Sequence, residues 1–282
     1  MINNSKEEAI FLDSAIGVID SGVGGLTVAH ELIRQLPKEH LIYLGDTLRC
    51  PYGPRSKEEV RKFTWEMVEY LLRKKIKMLV VACNTATAFT LTELQEELTI
   101  PVIGVIQPGA RAAIKNTNNG HIGVIGTEGT ISSNAYPEAL KDIRSDIHVN
   151  AQACPMFVPM VEQGILSGDE AKQVVEETLR PMKEKNHLDT LILGCTHYPL
   201  IKDTIQEVIG SHVTVISSSE ETARETSTIL EFHNALYKGK RIPNHQFYAT
   251  GELATFSKIT EEIFKTSTAN FQTVSIEKAV IC

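Results

Sequence analysis

Short apolar runs rich in Val and Ile recur along the chain and are separated by longer stretches with helical spacing. The runs are AIGVID (15–20), LIYLG (41–45), MLVVAC (78–83), PVIGVI (101–106), HIGVIG (121–126), TLILGC (190–195) and VTVIS (213–217). Runs this brief and this β-branched predict strands buried on both faces, as in a parallel sheet. Between them, 57–75 carries Val60, Phe63, Met67, Tyr70 and Leu71 on one helical stripe. Residues 170–185 carry Val174, Val175, Leu179 and Met182, and 220–238 carry Ala223, Leu230, Leu236 and Tyr237 before Gly239. Ser56 with Glu59, and Ser167 with Glu170, predict a capping box at the start of two of these helices. The alternation predicts an α/β protein whose mostly parallel sheets are flanked by helices.

The pattern is doubled. AIGVIDSG near residue 17 is echoed by HIGVIGTEGT near residue 123, and LVVACNT at residue 83 by LILGCTH at residue 195. The two echoes have similar offsets, about 106 and 112 residues. That period is too long for a solenoid. It predicts two similar domains, each offering one cysteine at a strand end and related by pseudo-two-fold symmetry. IQPGA (106–110) and the stretch after VTVIS are the candidate crossings. The expected division is 1–106 with 217–282, and 107–216, the last residues returning to the first domain.

Length and composition agree with two globular domains: 282 residues, 42% hydrophobic and 22% charged. A net charge of −7 argues against nucleic-acid or anionic-membrane binding. It leaves room for an acidic substrate, because helix N-termini bind anions without Lys or Arg. No apolar run approaches a membrane span. MINNSKEEAIFLD lacks the basic and apolar regions of a signal peptide and reads as a short frayed extension. Five widely spaced cysteines without CxxC read as free thiols of a cytoplasmic protein.

Chemistry concentrates at four motifs. In VVACNTAT (80–87) a strand ends at Cys83, and Asn84 and Thr85 are suited to cap the following helix. The thiol then sits at the carboxyl edge of a sheet, where open α/β folds bind ligands. The helix N-terminus is expected to lower its pKa. In LILGCTHYPL (191–200), Cys195 is followed by Thr196, by His197, which can orient or protonate a neighbour, and by Pro199. A Cys195–His197 metal pair is disfavoured, since no complementary ligand spacing accompanies it. IDSGVGGLT (19–27) makes a glycine turn after a strand, but Thr27 stands where a dinucleotide fingerprint needs Gly. Asp20 there can cap the turn or share a proton with a thiol or an ammonium. CPYGPRS (50–56) is a stiff loop able to wall off a small pocket, and Cys50 and Cys154 read as non-catalytic. One thiol alone is more often a core residue than a catalyst. Two at equivalent strand ends fit stereochemical inversion, which needs a base on one face of a carbon and an acid on the other.

Taken together, DSGVGGLTV, GDTLRCPYGPRS, ACNTATA, ACPMFVPMVEQG and LGCTHYP resemble the glutamate racemases of the aspartate/glutamate racemase superfamily, from Ala15 to about Ala223. The resemblance implies an active site between two α/β domains, with no cofactor and no metal. It puts Cys83 and Cys195 on the catalytic positions. Asp20, Ser21, Tyr52, Gly53, Asn84, Thr85, Thr196 and His197 fall on substrate contacts. Asp20 would assist Cys83, and His197 with Glu162 would assist Cys195. SSSEETA (217–223) departs from the usual Gly or Ala before ETA. The expected role is supply of D-glutamate for peptidoglycan synthesis in a bacterial cytoplasm. The oligomeric state is open, with a homodimer as one candidate.

Other readings separate by experiment. A racemase for aspartate or another amino acid would differ only in its pocket. A thiol hydrolase or transferase would use one Cys with His197 and leave the other unexplained. An amino-acid-binding regulator would need neither thiol. Circular dichroism of L-glutamate incubated with the protein alone discriminates among them.

Overall fold

A computed structural model describes residues 12–184, 187–264 and 274–279. The N-terminal extension lies almost wholly outside the described residues, as does Cys282. The first half runs β1 (Ile16–Asp20), α1 (Leu26–Gln35), β2 (Leu41–Gly45), α2 (Lys57–Arg73), β3 (Met78–Val81), α3 (Asn84–Glu97) and β4 (Val102–Gly104). Then come α4 (Ile106–Asn116), β5 (His121–Gly126), α5 (Glu128–Ser132), α6 (Ala135–Ile143), β6 (His148–Ala153), α7 (Phe157–Glu162) and α8 (Gly168–Lys183). The chain continues with β7 (Thr190–Gly194), a 3-10 turn (Tyr198–Ile201), α9 (Lys202–Ile209), β8 (Thr214–Ser217) and α10 (Ser218–Phe232). It closes with β9 (His245–Ala249), α11 (Leu253–Phe264) and β10 (Val274–Lys278).

Two all-parallel sheets result, β10-β9-β2-β1-β3-β4 and β6-β5-β7-β8. The order β2-β1-β3-β4 repeats as β6-β5-β7-β8, so the doubled sequence is a doubled fold. The final strands extend the first sheet: β9 pairs with β2.

Alternation explains the cores. Met78, Val80 and Ala82 face one side of β3 with Ile16 and Val18, while Leu79, Val81 and Cys83 face the other with Ile19. In the second sheet Ile122, Val124 and Ile192 share one face, and Ile125, Leu191, Leu193 and Cys195 the other. Each sheet thus has hydrophobic clusters on both faces, which is why its central strands are continuously apolar. Helix α10 packs against both α1 and α4, and α3 against both α5 and α4, joining the halves.

Three local expectations need correction. Ser56 and Glu59 form the capping box, but Ser167 makes no side-chain cap bond. Gly168 follows it with φ +88° and turns the backbone away from N-cap geometry. Helix α10 ends at Phe232 rather than near 238, because Asn234 adopts a left-handed φ of 53° and Ala235 N–H donates back to the Leu230 carbonyl at 2.7 Å. Asn84 and Thr85 are the first residues of α3, and the cap is Cys83 itself, whose Sγ accepts from the Ala86 N–H at 3.5 Å.

Candidate functional site

The two cysteines arrive at one place by the same construction. In the first sheet Ile19 is opposite Val81, and Cys83 follows two residues later. In the second Ile125 is opposite Leu193, and Cys195 follows two residues later. Both thiols lie just past the carboxyl edge of a central strand, on the face that carries Ile19 or Ile125, and both are buried. They line one narrow cleft with Ser21, Tyr52, Asn84, Thr127, Val158 and His197, and Pro51, Gly53, Thr85 and Thr196 complete it. Its interior has room for about one water.

Loop contacts close the cleft. A Cβ on Gly24 would lie 2.5 Å from both His197 Nδ1 and Thr196 Oγ1, so only glycine lets the DSGVGG turn approach the Cys195 loop. Gly24 therefore serves loop packing. Gly53 sits equally close to Thr127, and its carbonyl accepts from the Gly129 N–H at 2.8 Å. The stiff 50–56 loop thereby reaches the second half. Its Cys50–Pro51 peptide is cis.

Around Cys83, Sγ is 3.6 Å from Ser21 Oγ. Burial pushes its pKa up to about 12, and the Asp20 charge adds to the rise. The Ala86 N–H and Ser21 pull the other way and are outweighed, so the helix N-terminus does not deliver the expected lowering. Asp20 is fully buried, with Oδ1 accepting from the Gly22 N–H at 2.9 Å and Oδ2 from Thr196 Oγ1 at 3.1 Å. Burial also raises its pKa, against His197, the Gly25 and Gly22 amides and Thr196.

Around Cys195, His197 Nδ1 is 3.8 Å from Sγ, and His197 Nε2 is 3.2 Å from Glu162 Oε1. Burial works against an imidazolium there, but Cys195, Glu162 and Asp20 overcome it and hold the His197 pKa up to about 10. Burial raises the Glu162 carboxyl, and its bonds from His197 and Cys50 more than reverse this, leaving it lowered.

The remaining expected contacts are present but partly engaged. Asn84 Oδ1 accepts from Tyr136 OH at 2.8 Å, while Asn84 Nδ2 is buried without a hydrogen-bond partner among the described residues. Thr85 Oγ1 is 2.8 Å from Thr127 Oγ1. The Tyr52 hydroxyl donates to Asp46 Oδ2 at 2.5 Å. Ser217 caps α10, and buried Ser219 lies 3.3 Å from Thr27 Oγ1. Cys154 is buried against the Gln152 carbonyl, and burial holds its thiol up at about 12. Cys50 donates to Glu162 Oε1 at 3.0 Å. Among the described residues, Cys50, Glu162 and His197 are the one group of three whose ligand atoms lie within 4.8 Å of one another. Sequence reasoning missed Thr127 and Tyr136. The echo of IDSG in IGTEG could have found Thr127, which follows β5 as Ser21 follows β1.

Comparisons with known proteins bear on the fold and the family. A glutamate racemase of Oceanobacillus iheyensis is 69% identical over 270 residues, spanning 96% of this chain and 98% of that one. The crystal structure of a glutamate racemase from Bacillus anthracis matches with a TM-score of 0.89 at 52% identity, over 95% of this chain and 97% of that one. One from Francisella tularensis, in complex with D-glutamate, matches with a TM-score of 0.85 at 34% identity, over 96% and 98%. The profile of the Asp/Glu/Hydantoin racemase family matches residues 16–226, and the chain belongs to that family, among its glutamate racemases.

Proposed function

We propose that Cys83 and Cys195 are the two acid/base groups with which this protein interconverts L- and D-glutamate. The chain is an isomerase of glutamate, as its relatives at 57–69% identity are, and D-glutamate serves peptidoglycan synthesis. The observation that carries the two-thiol reading is the placement of both thiols, by equivalent strands, in one cleft.

In each direction one cysteine, as thiolate, takes the α-proton and the other, as thiol, delivers its own to the opposite face. Asn84 Nδ2, buried and unpartnered, offers a donor to a substrate carboxylate, with Ser21, Thr85 and Thr196 beside it. The cleft's small volume keeps water from the carbanion. It also means that glutamate enters only when the surrounding loops part. His197, bridging Cys195 and Glu162, passes a proton to or from that thiol, and Asp20 tunes Cys83 and the substrate ammonium. No cofactor enters this scheme; full activity is expected after exhaustive dialysis with chelator and carbonyl scavenger.

The decisive experiment is isotopic. In D2O at low conversion, D-glutamate formed from L-glutamate should carry deuterium at Cα while the remaining L-glutamate stays protiated, and the reverse reaction should mirror this. Substantial protium in the product, or equal label in both pools, overturns the two-thiol assignment.

Three finer points belong to the same reading. We take 1–106 with 217–282, and 107–216, as the units that part, which hydrogen exchange with and without D-glutamate should show as protection at their facing loops. The four described cysteines are free thiols, which suits a cytoplasmic enzyme, checked by fractionation. No described helix is long and apolar enough to cross a membrane. A homodimer is the assembly to test by analytical ultracentrifugation, with a monomer at micromolar concentration as the contrary result.

A further inference from the structure

We propose that Cys50, Glu162 and His197 form an inhibitory site for a thiophilic divalent cation of the zinc class, on the outer side of the cleft. Cys50 has no part in the racemisation described above, yet its Sγ lies 3.0 Å from Glu162 Oε1. His197 Nε2 lies 3.2 Å from the same oxygen, and the three ligand atoms all fall within 4.8 Å of one another. A tetrahedral ion holding sulfur, nitrogen and oxygen at 2.0–2.3 Å spaces them about 3.3–3.6 Å apart. The trio is therefore close to a ready-made half-cage. Glu162 is about a third exposed (36%), so its carboxylate can adjust.

The donor set is mixed thiolate, imidazole and carboxylate, which suits zinc, cobalt(II) and cadmium and not magnesium or calcium. An entry path exists. A separate open cavity reaches Cys50 and Glu162 from outside, lined also by Val23, Thr47, Glu252 and Phe256. Glu252 adds negative charge along that path. Three protein ligands leave a fourth position for water.

Binding balances as follows. The Cys50 thiol loses its proton and its sulfur bonds the metal. The Nε2 proton of His197 leaves, and the nitrogen lone pair bonds the metal. Glu162 is already a carboxylate. Two protons go to solvent and no electron moves. His197 then no longer exchanges a proton with Glu162, so the Cys195 side of the cleft loses its relay. This last step rests on the proposed role of His197; the binding itself does not.

Cobalt(II) is the probe, with the full-length protein in a non-thiol reductant. One equivalent should give the sulfur-to-cobalt charge-transfer band and the visible spectrum of a tetrahedral ion, and racemisation should fall in parallel. Cys50→Ala and Cys50→Ser should racemise normally without metal, bind cobalt more than about tenfold more weakly, and resist inhibition. Absence of the band in the wild type overturns the proposal. So does a band that survives in both Cys50 variants, which would place the ion on Cys83 or Cys195. A refuted two-thiol mechanism would leave the band and its dependence on Cys50 untouched, so the two failures are distinguishable.

Discussion

Cys83 and Cys195 occupy equivalent points of a doubled fold, yet their surroundings are built from different residues. Aligned by strand register, Gly17, Ile19 and Ser21 correspond to Gly123, Ile125 and Thr127, and Leu79 and Val81 to Leu191 and Leu193. The scaffold is conserved between halves down to the glycines. The polar residues are not: Asp20 corresponds to Gly126, and Asn84 and Thr85 to Thr196 and His197. Cys83 therefore caps a 14-residue helix and has a buried carboxyl as its nearest charge influence. Cys195 precedes a four-residue 3-10 turn and has an imidazole that reaches out to Glu162. On one side burial and negative charge raise the thiol, and on the other an imidazole bridges the thiol and Glu162. A reaction that runs both ways needs symmetric placement of the two groups. It does not need identical tuning, because L- and D-glutamate present mirror-related faces to an asymmetric protein.

The largest test of that equivalence removes each thiol. Cys83→Ala and Cys195→Ala should each lower kcat/KM in both directions by about 10²–10⁴-fold or more, with thermal unfolding near that of the wild type. Loss in only one variant would break the equivalence and favour a single nucleophile. The residues proposed to tune the thiols come next. Asp20→Asn and His197→Asn should reduce kcat by about a hundredfold, the lower end of what a positioned proton-transfer group contributes, with KM changed less. The two directions should be affected unequally within the Haldane limit on their kcat/KM ratio. Unchanged kcat in both would make these residues packing elements only.

How much of this was legible in the sequence follows from where the burial lies. Strands β1, β2, β3, β4, β5 and β7 announce themselves as apolar runs because their residues are buried on both faces, and β8 is marked by Val215 and Ile216 although it is an edge strand with Thr214 exposed. The run at β6, HVNAQA, is an edge strand with His148 and Ala151 exposed, so no apolar pattern marks it. The His245–Ala249 strand hides behind its polar start, His245–Gln246, although His245 is buried. The strand-end positions of both thiols, of Asp20 and of the CTH loop were readable, since a strand end and the residues that follow it are local in sequence. The contacts that define the cleft are not local. Gly24 against His197, Gly53 against Thr127 and Thr196 on Asp20 join residues from different halves, and no periodicity predicts them. The thiol environment was misread for the same reason. A helix N-terminus is visible in sequence, whereas burial and a neighbouring Asp20 are properties of the assembled site.

The charge on the Cys195 side should also be visible in stability. The His197 pKa is raised from 6.5 to about 10 in the folded protein. A raised histidine binds its proton more tightly folded than unfolded, so its contribution is fully present below pH 6.5 and is lost as pH rises through about 10. Urea unfolding across that range should show the wild type losing stability relative to His197→Asn between these limits. Parallel pH profiles would mean that His197 is neutral in the fold and that Glu162 does not hold it charged.

The smallest effect probes the doubling where it fails. Ser56 and Ser167 look alike in sequence, each three residues before a Glu and each exposed at a helix start. Ser56 accepts from the Glu59 N–H at 3.2 Å, and Glu59 Oε2 accepts from the Ser56 N–H at 3.2 Å, so two otherwise orphaned donors are satisfied. Ser167 has φ −158° and ψ 177°, makes no side-chain cap bond, and is followed by Gly168 in a left-handed conformation. Ser56→Ala should therefore cost about 0.5–2 kcal/mol of unfolding free energy. Ser167→Ala should stay within about 0.5 kcal/mol of the wild type, as surface substitutions without such a bond do. Chemical denaturation at a pH where all acids are ionised compares the pair directly. Equal losses would mean that Ser167 closes its box in solution, and that the two helices begin as symmetrically as their sequences suggest.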